Sequence, residues 1–192
     1  RDNRFSVVDF DGTNDYIDCG SDTSLDNIWT GGGTLTAWIY PRSDGEGDFG
    51  MIAVKRNGNT SGWYLATNDE SGGVCDIRLR SARDTSDGGW TTTSREITLN
   101  EWNHITITYN SDSDSNNPLI YVNGISVGVT ESDTPSGSHS SDASDVFKIG
   151  GDADLTVWDP NKVKKIKQAD LHHGSDYTPY ENLEIKGWPT QT

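Results

Sequence analysis

The stretch of sequence that decides the fold runs from Asn100 to Gly128 and reads NEWNHITITYN, then an acidic loop, then LIYVNGISVG. Over residues 105–108 isoleucine alternates with threonine, so one face of a strand can be buried while the other faces water. Asn123 and Gly124 then separate two apolar runs. This dipeptide suits a type I′ turn, because both central residues of that turn need a positive φ. The stretch therefore predicts an antiparallel sheet.

Similar short patterns recur along the rest of the chain, separated by Gly, Asp, Ser and Asn. Strands are predicted near residues 5–10, 15–19, 34–40, 50–55, 62–67, 74–81, 91–98, 103–109, 118–122, 125–129, 146–149 and 153–158. Many short strands with turn residues between them are typical of an all-β sandwich or barrel. The expected core residues are Phe10, Trp38, Ile105, Ile107, Tyr121 and Val157.

One short helix is predicted near the end of the chain, from Asp159 to Leu171. Asp159 can cap its amino end, Pro160 suits the first turn, and Val163 begins a narrow apolar stripe. The lysines at 162–167 form either a solvated face or a surface that docks on this domain's own acidic surface or on a neighbouring subunit. We expect one sandwich over residues 1–158, with the helix and tail of residues 159–192 packed on the same domain.

Three blocks of sequence carry a family resemblance. Residues 102–124 combine a Trp-x-His strand with a Tyr-x-Asn-Gly hairpin, residues 10–17 read FDGTNDYI, and residues 35–41 read LTAWIYP. In this order they resemble the laminin G-like, concanavalin A-like jelly rolls over about residues 5–158. The resemblance implies an antiparallel two-sheet jelly roll. It says little about the ligand, since this fold hosts lectins, lyases, hydrolases and adhesive modules.

The composition is strongly acidic, with 30 acidic and 15 basic residues and a formal net charge of −15. Such a chain repels phosphates, which argues against nucleic acid as a partner. No apolar run approaches the length of a membrane span. The chain begins at Arg1, so we expect it to be processed or excised from a longer protein. Cys19 and Cys75 permit one disulfide, and two reduced thiols are the open alternative.

A structural calcium ion is one reading of the acidic residues. Asp11, Asn14 and Asp15 crowd one predicted turn, and the resemblance implies that the first and last strands lie side by side, which would bring Asp154 close. Ca²⁺ takes 6–8 oxygens, which carboxylates, carbonyls and water can supply. The alternative is that these residues only form a turn.

A second calcium-like pattern, at residues 112–116, imitates the first half of an EF-hand loop. Its sixth position is Asn117, where glycine is needed, and Pro118 follows. We interpret it as a hairpin loop.

The sequence offers no motif for catalysis. A glycosidase on this fold would need a pair of carboxylates, and the only Glu-x-Asp, Glu46 to Asp48, lies in a glycine-rich loop without a third acid. His104 corresponds to a structural histidine of the family it resembles, with a core or hydrogen-bonding role. The sequence therefore favours a protein that is not an enzyme.

Sugar binding needs aromatic faces for stacking and polar groups for hydroxyls. Trp29 and Trp90 lie in Gly/Ser/Thr-rich segments, and with Tyr64 and Arg80 they are the candidate ligand-binding residues. The alternative is that each tryptophan pins a loop to the sandwich.

The expected function is a non-catalytic carbohydrate-binding or adhesion module of an extracellular, cell-surface or virion protein. Its partner would be a glycan or polysaccharide, and the module could belong to a larger chain or a homo-oligomer. The alternatives are a polysaccharide hydrolase or lyase and a purely structural phage or cell-surface module.

Overall fold

The computed structural model describes residues 8, 10, 15–150, 159–165 and 184–188. The chain divides into two compact units, one of residues 9–156 and one of residues 1–8 with 157–192. Each unit is described by itself.

Strands dominate the first unit. They are β1 (Tyr16–Asp18), β2 (Gly33–Ile39), β3 (Phe49–Lys55), β4 (Trp63–Ser71), β5 (Val74–Ser81), β6 (Gly88–Thr92), β7 (Ile97–Thr98), β8 (Asn103–Tyr109), β9 (Leu119–Val122), β10 (Ile125–Val127), β11 (Val129–Asp133) and β12 (Phe147–Gly150). Its described residues also include single-turn 3₁₀ segments at Thr23–Leu25 and Glu46–Asp48. In the described part of the chain no helix is long and apolar enough to cross a membrane.

These strands form two antiparallel sheets, and the predicted jelly-roll class is confirmed. The larger sheet has the order β1-β12-β3-β4-β5-β6-β11, with β7 also paired to β5, and the smaller has the order β10-β9-β8-β2. The first and last described strands of this unit are neighbours, with Tyr16 opposite Gly150. Most strands agree with the predicted positions, because their alternation and turn residues are local signals.

The core lies between the inner faces of the sheets. Ile105 and Ile107 of β8 are fully buried and Phe10 is 2% exposed, so these three core predictions are confirmed. The predictions for Trp38 and Tyr121 are wrong. Trp38 pairs with His104, and Tyr121 pairs with a threonine that alternates with the buried isoleucines, so both rings lie on the outer face and are only half-buried. Val157 lies outside the described residues.

The predicted hairpin at Asn123-Gly124 is present between β9 and β10. Both turn residues have positive φ, 52° and 81°. The side-chain oxygen of Asn123 also accepts a hydrogen bond from the backbone N–H of His104, at 2.9 Å. The acidic stretch 112–117 joins β8 to β9, which form an antiparallel pair, as expected of a hairpin loop.

The second unit contains an antiparallel pair, β13 (Asp159–Lys165) and β14 (Glu184–Trp188). The predicted helix from Asp159 to Leu171 is therefore wrong over its first seven residues, and residues 166–171 lie outside the described part. Val163 pairs with Lys186, and the register shifts between Asp159 and Val163, where a proline can be tolerated. Pairing with a distant strand overrides the local helix signal. Packing of the tail on the sandwich stays a prediction.

Cys19 and Cys75 are both free thiols. Cys75 is fully buried, and burial, with smaller contributions from nearby carboxylates, raises its pKa to about 12. The thiolate is the reactive form of cysteine, so Cys75 is chemically inert in the folded protein.

Candidate functional site on the outer faces of the sandwich

The two tryptophans predicted to bind ligand are core residues. Trp29 is 1% exposed and Trp90 is 0% exposed. Trp29 packs edge-on against Trp63 at 5.3 Å, and Trp90 lies opposite Leu79 on the inner face of β6 and donates its indole N–H to Asn117 at 2.7 Å. The expectation of exposed rings is wrong, because strand alternation turns Trp90 inward whatever the polarity of its neighbours.

The structure brings the other two predicted residues together. Tyr64 of β4 lies directly opposite Arg80 of β5, on the outer face of the larger sheet. Alternation places Asp76 and Arg78 on the same side, and Asp133 reaches it from β11. We call this surface the charged face; its members are Tyr64, Asp76, Arg78, Arg80, Asp87 and Asp133.

Carboxylates and guanidinium groups alternate along the charged face. Oδ2 of Asp133 accepts hydrogen bonds from Arg78 at 2.7 Å and from Arg80 at 3.2 Å. Arg80 also donates to Oδ2 of Asp87 at 3.1 Å, and the other oxygen of Asp87 accepts the backbone N–H of Arg83 at 3.0 Å. The arginines are therefore already paired within the protein.

Gly89 of β6 makes room for this arrangement. A Cβ atom at Gly89 would lie well inside van der Waals contact with Oδ2 of Asp133. The carboxylate of Asp133 can thus lie directly over the β6 backbone and reach both arginines. Any other residue at Gly89 would displace it.

The ring of Tyr64 is covered rather than offered to a ligand. The guanidinium of Arg56 lies over it at 4.6 Å from the ring centroid, and Phe49 meets it edge-on at 6.5 Å. Tyr64 is 6% exposed as a result. A sugar could stack on this ring only after Arg56 moved away.

The outer face of the smaller sheet has a different chemistry. Its outward residues on β2, β8, β9 and β10 are threonines, aromatic rings and other uncharged groups, with Tyr40 and Trp102 continuing the alternation just beyond β2 and before β8. We call it the aromatic–threonine face; it consists of Thr34, Thr36, Trp38, Tyr40, Trp102, His104, Thr106, Thr108, Leu119, Tyr121 and Ser126. None of these residues is Asp, Glu, Lys or Arg.

The rings of this face support one another and remain accessible. Trp102 is 46% exposed and meets Tyr40 at 5.5 Å, and Trp38 meets His104 at 5.0 Å. The His104 imidazole also shares a 2.8 Å hydrogen bond with the hydroxyl of Thr36, so its predicted hydrogen-bonding role is confirmed. The result is a sheet surface with exposed rings at one end and hydroxyl groups across its middle.

The predicted calcium ligands Asp11, Asn14 and Asp154 lie outside the described residues. Asp15, the fourth, is exposed and directly precedes β1. Among the described residues no group of three or more His, Cys, Asp or Glu side chains is placed to hold a metal ion. The calcium site stays a prediction.

A polar cleft of about 480 Å³ lies among the loops at one end of the sandwich. Beside it, the buried guanidinium of Arg83 donates to the carbonyl oxygens of Gly137, Ser111 and Ser113 at 2.7–3.0 Å. Burial lowers the pKa of His139, which lines the cleft, and so favours the neutral form of this ring. Arg83 thus holds loops in place rather than contacting a ligand.

Sequence reasoning missed most of both faces. The alternation in 76–80, DIRLR, could have placed Arg78 beside Arg80 on one side of a strand. Trp102 and Thr106 could likewise have been assigned to one side of the 102–109 pattern. The approach of Asp133 to the arginines had no local signal, because it depends on the pairing of β11 with β6.

Two curated proteins match only a short segment of this chain. A segment of 41 residues, 21% of this chain, is 44% identical to a D-hydantoinase of Rhizobium radiobacter, and a 41-residue match to a D-hydantoinase of Ralstonia pickettii is 42% identical. The chain spans about 9% of the length of these curated relatives.

Two solved structures are similar to this chain at low scores. A pentraxin from Limulus polyphemus has 15% identity and a TM-score of 0.42, with 81% of this chain and 69% of the pentraxin covered. A family 18 polysaccharide lyase has 22% identity and a TM-score of 0.36, with 68% and 56% covered. At these values neither structure says anything about the ligand or activity of this chain.

The sequence profile of the concanavalin A-like lectin/glucanase superfamily matches residues 11–162. This is most of the chain, and it includes both sheets and both outer faces. It agrees with the resemblance carried by the 10–17, 35–41 and 102–124 blocks. The chain therefore belongs to the concanavalin A-like lectin/glucanase superfamily.

Proposed function

We propose that this chain is a non-catalytic carbohydrate-binding or adhesion module and that it binds neutral glycan through the aromatic–threonine face. One observation carries the proposal: a whole sheet surface without a charged side chain, on a protein whose formal net charge is −15. Superfamily membership supports it, since lectins use this fold. We expect the module to act outside the cell, at a cell surface or on a virion.

The chemistry of this face suits a sugar. The apolar faces of pyranose rings stack on aromatic side chains, and their hydroxyls need hydrogen-bonding groups nearby. Trp102 and Tyr40 supply rings at one end. Toward the middle of the sheet, beyond Trp38 and His104, the hydroxyls of Thr36 and Thr106 lie 3.2 Å apart and can exchange this contact for a sugar hydroxyl. No ion has to be stripped of water when such a ligand binds.

The charged face favours a second candidate, a polysaccharide lyase or hydrolase acting on an acidic glycan. Tyr64 lies opposite Arg80, and guanidinium groups bind carboxylates well. Against it, Asp133 and Asp87 already occupy the arginines, and Arg56 covers Tyr64. The proposal of a binding module therefore fits the observed contacts better.

Isothermal titration calorimetry with neutral oligosaccharides of the cello-, xylo- and chito- series tests the proposal. We expect single-site dissociation constants on the order of 10⁻⁴–10⁻³ M, since desolvation of hydroxyls offsets much of the stacking. Trp102→Ala should weaken binding at least tenfold. Tyr16→Ala is the matched control, because Tyr16 is 50% exposed and lies on the other sheet.

Binding that survives Trp102→Ala but falls with Arg80→Ala would move the site to the charged face. Release of reducing ends or unsaturated products from any polysaccharide would replace the binding module with an enzyme. The calcium proposal is tested separately by chelation. If Asp11 and Asp154 share a Ca²⁺ ion, chelator should lower the melting temperature of the native chain and leave Asp154→Ala unaffected.

A further inference from the structure

The loops at one end of the sandwich meet around a lysine that solvent does not reach. Lys55 is the last residue of β3 and is 0% exposed. Lysine is almost never fully buried unless its charge is paired. The groups around its ammonium are therefore the ones that compensate this buried positive charge.

Three oxygens surround the Lys55 ammonium, two as hydrogen-bond acceptors and one as an ion-pair partner. Nζ donates to the carbonyl oxygens of Asp142 and Asp145, both at 2.7 Å, and lies 3.0 Å from Oδ1 of Asp26. Oδ1 of Asp142 is a fourth oxygen, at 3.7 Å. Two carboxylates and two carbonyls are the oxygen ligands that hard cations such as Ca²⁺ prefer.

The Asp142 carboxylate has capacity that the ammonium does not use. Asp142 is 0% exposed, and its Oδ1 accepts the backbone N–H of Asn27 at 2.7 Å. Its Oδ2 has no hydrogen-bond donor among the residues that the structure describes. A buried carboxylate oxygen without a donor is costly, and a second cation contact would satisfy it.

We propose that this end of the sandwich is a cation site of the calcium type, with the Lys55 ammonium as its resident cation. The loops that carry Asp26 and Asp142 are thus joined without a metal ion. When the ammonium is removed, the remaining oxygens take up a divalent cation such as Ca²⁺. This site is distinct from the predicted ligands Asp11 and Asp154 and does not depend on the proposed glycan binding.

The distances around Lys55 are compatible with replacing its ammonium by Ca²⁺. Ca²⁺–oxygen distances are about 2.3–2.6 Å, so oxygens now 2.7–3.0 Å from Nζ would have to close in by a few tenths of an ångström. Asp142 can supply a carboxylate and a carbonyl oxygen, Asp26 a carboxylate oxygen and Asp145 a carbonyl oxygen. Water that enters the space of the ammonium completes the usual six or more ligands.

Arg83 provides a matched contrast at the same end of the molecule. It is also a buried cation, 6% exposed, yet its guanidinium contacts carbonyls and the hydroxyl of Tyr109, at 2.7–3.2 Å. None of these acceptors is a carboxylate. Neutral oxygens alone hold a divalent ion poorly, so replacing Arg83 should create no metal response.

Thermal unfolding of Lys55→Met, first in chelator and then with CaCl₂ or MgCl₂, tests the proposal. Methionine keeps the length of the stem without the charge. With Ca²⁺ about 100-fold above its dissociation constant, the Tm of this variant should rise by about 5–10 °C more than that of the native chain. The double variant Lys55→Met/Asp142→Asn should lose the response, and Arg83→Met should never gain it.

The native chain supplies an independent readout. In chelator, amide exchange of residues 26–30 and 140–146 should stay as slow as in calcium. If Lys55→Met does not fold without metal, recovery of the fold on adding Ca²⁺ supports the site, and Lys55→Gln repeats the titration. No calcium response in either variant, an equal response in Arg83→Met, or faster exchange of the native loops in chelator would overturn the proposal.

Discussion

The two outer faces of the sandwich differ in how they carry charge, although the chain as a whole is strongly acidic. On the charged face Asp133 lies between Arg78 and Arg80, so charges of both signs neutralise one another within the protein. The aromatic–threonine face carries no charged side chain across its strands. The first face holds its charges in ion pairs, and the second has only uncharged contacts between its rings and hydroxyls and keeps rings such as Trp102 exposed.

This difference indicates where a weak, uncharged ligand can bind. On the charged face a ligand must compete with ion pairs that are already formed, and it must desolvate ions. On the aromatic–threonine face it displaces water from rings and hydroxyls alone. The predictions below test this contrast in order of decreasing effect.

The largest effect on stability should be seen when two tryptophans are compared, one buried under the charged face and one exposed on the aromatic–threonine face. Trp90→Ala removes a fully buried ring under the charged face and should cost about 3–5 kcal/mol of unfolding free energy. Trp102→Ala removes a half-exposed ring and should cost about 0.5 kcal/mol. Urea denaturation of both variants measures the difference, and similar losses would contradict the assignment of inner and outer rings.

A charge placed on the aromatic–threonine face should weaken glycan binding without unfolding the protein. Thr106→Lys puts an ammonium between Thr36 and Tyr121, where a bound sugar would have to desolvate it. We expect about a tenfold loss of affinity, or about 1.4 kcal/mol, by calorimetry. Thr130→Lys, at an exposed position of β11, is the control and should bind as the native chain does.

Asp133→Asn should break the alternation of charges on the charged face. It removes the negative charge shared by Arg78 and Arg80 while keeping an amide oxygen, and because Asp133 is partly exposed we expect a loss of only about 1 kcal/mol. The loss should shrink in high salt, which screens such pairs. Denaturation at low and high salt measures this, with Glu131→Gln as the control. An equal loss at both salt levels would mean that packing, not charge, is involved.

The smallest effect concerns the pH dependence of Asp76. Burial raises the pKa of this carboxyl, only partly offset by the hydrogen bond from Thr92 and by Arg95, so the folded state holds the proton more tightly than the unfolded state. The stability linked to this group is fully present below its unfolded pKa and is lost as pH rises through its folded pKa. Relative to Asp76→Asn, the native chain should therefore gain stability on acidification from pH 7 toward pH 4. A constant difference across urea titrations in this range would contradict the raised pKa.

Much of the fold could be predicted because its signals are local. The alternation around Ile105 and the Asn123-Gly124 turn specify a strand and a hairpin without knowledge of any partner. The site could not be predicted in the same way. Whether Trp38 or Trp90 faces the solvent depends on which side of its strand meets the other sheet, and the strand at Asp159–Lys165 depends on pairing with β14.

The contacts of Arg83 have a consequence for how this protein can vary. Its guanidinium donates hydrogen bonds to backbone carbonyl oxygens of the loops at residues 111–113 and 137. Every amino acid has this backbone carbonyl. Exposed side chains of these loops, such as Asp112 and Asp114, can therefore change while the contacts of Arg83 stay the same, whereas Gly137 has no room for a side chain and Ser111 is buried. Sequence diversification at this end of the sandwich, whether by evolution or in a randomised library, is expected at the exposed positions.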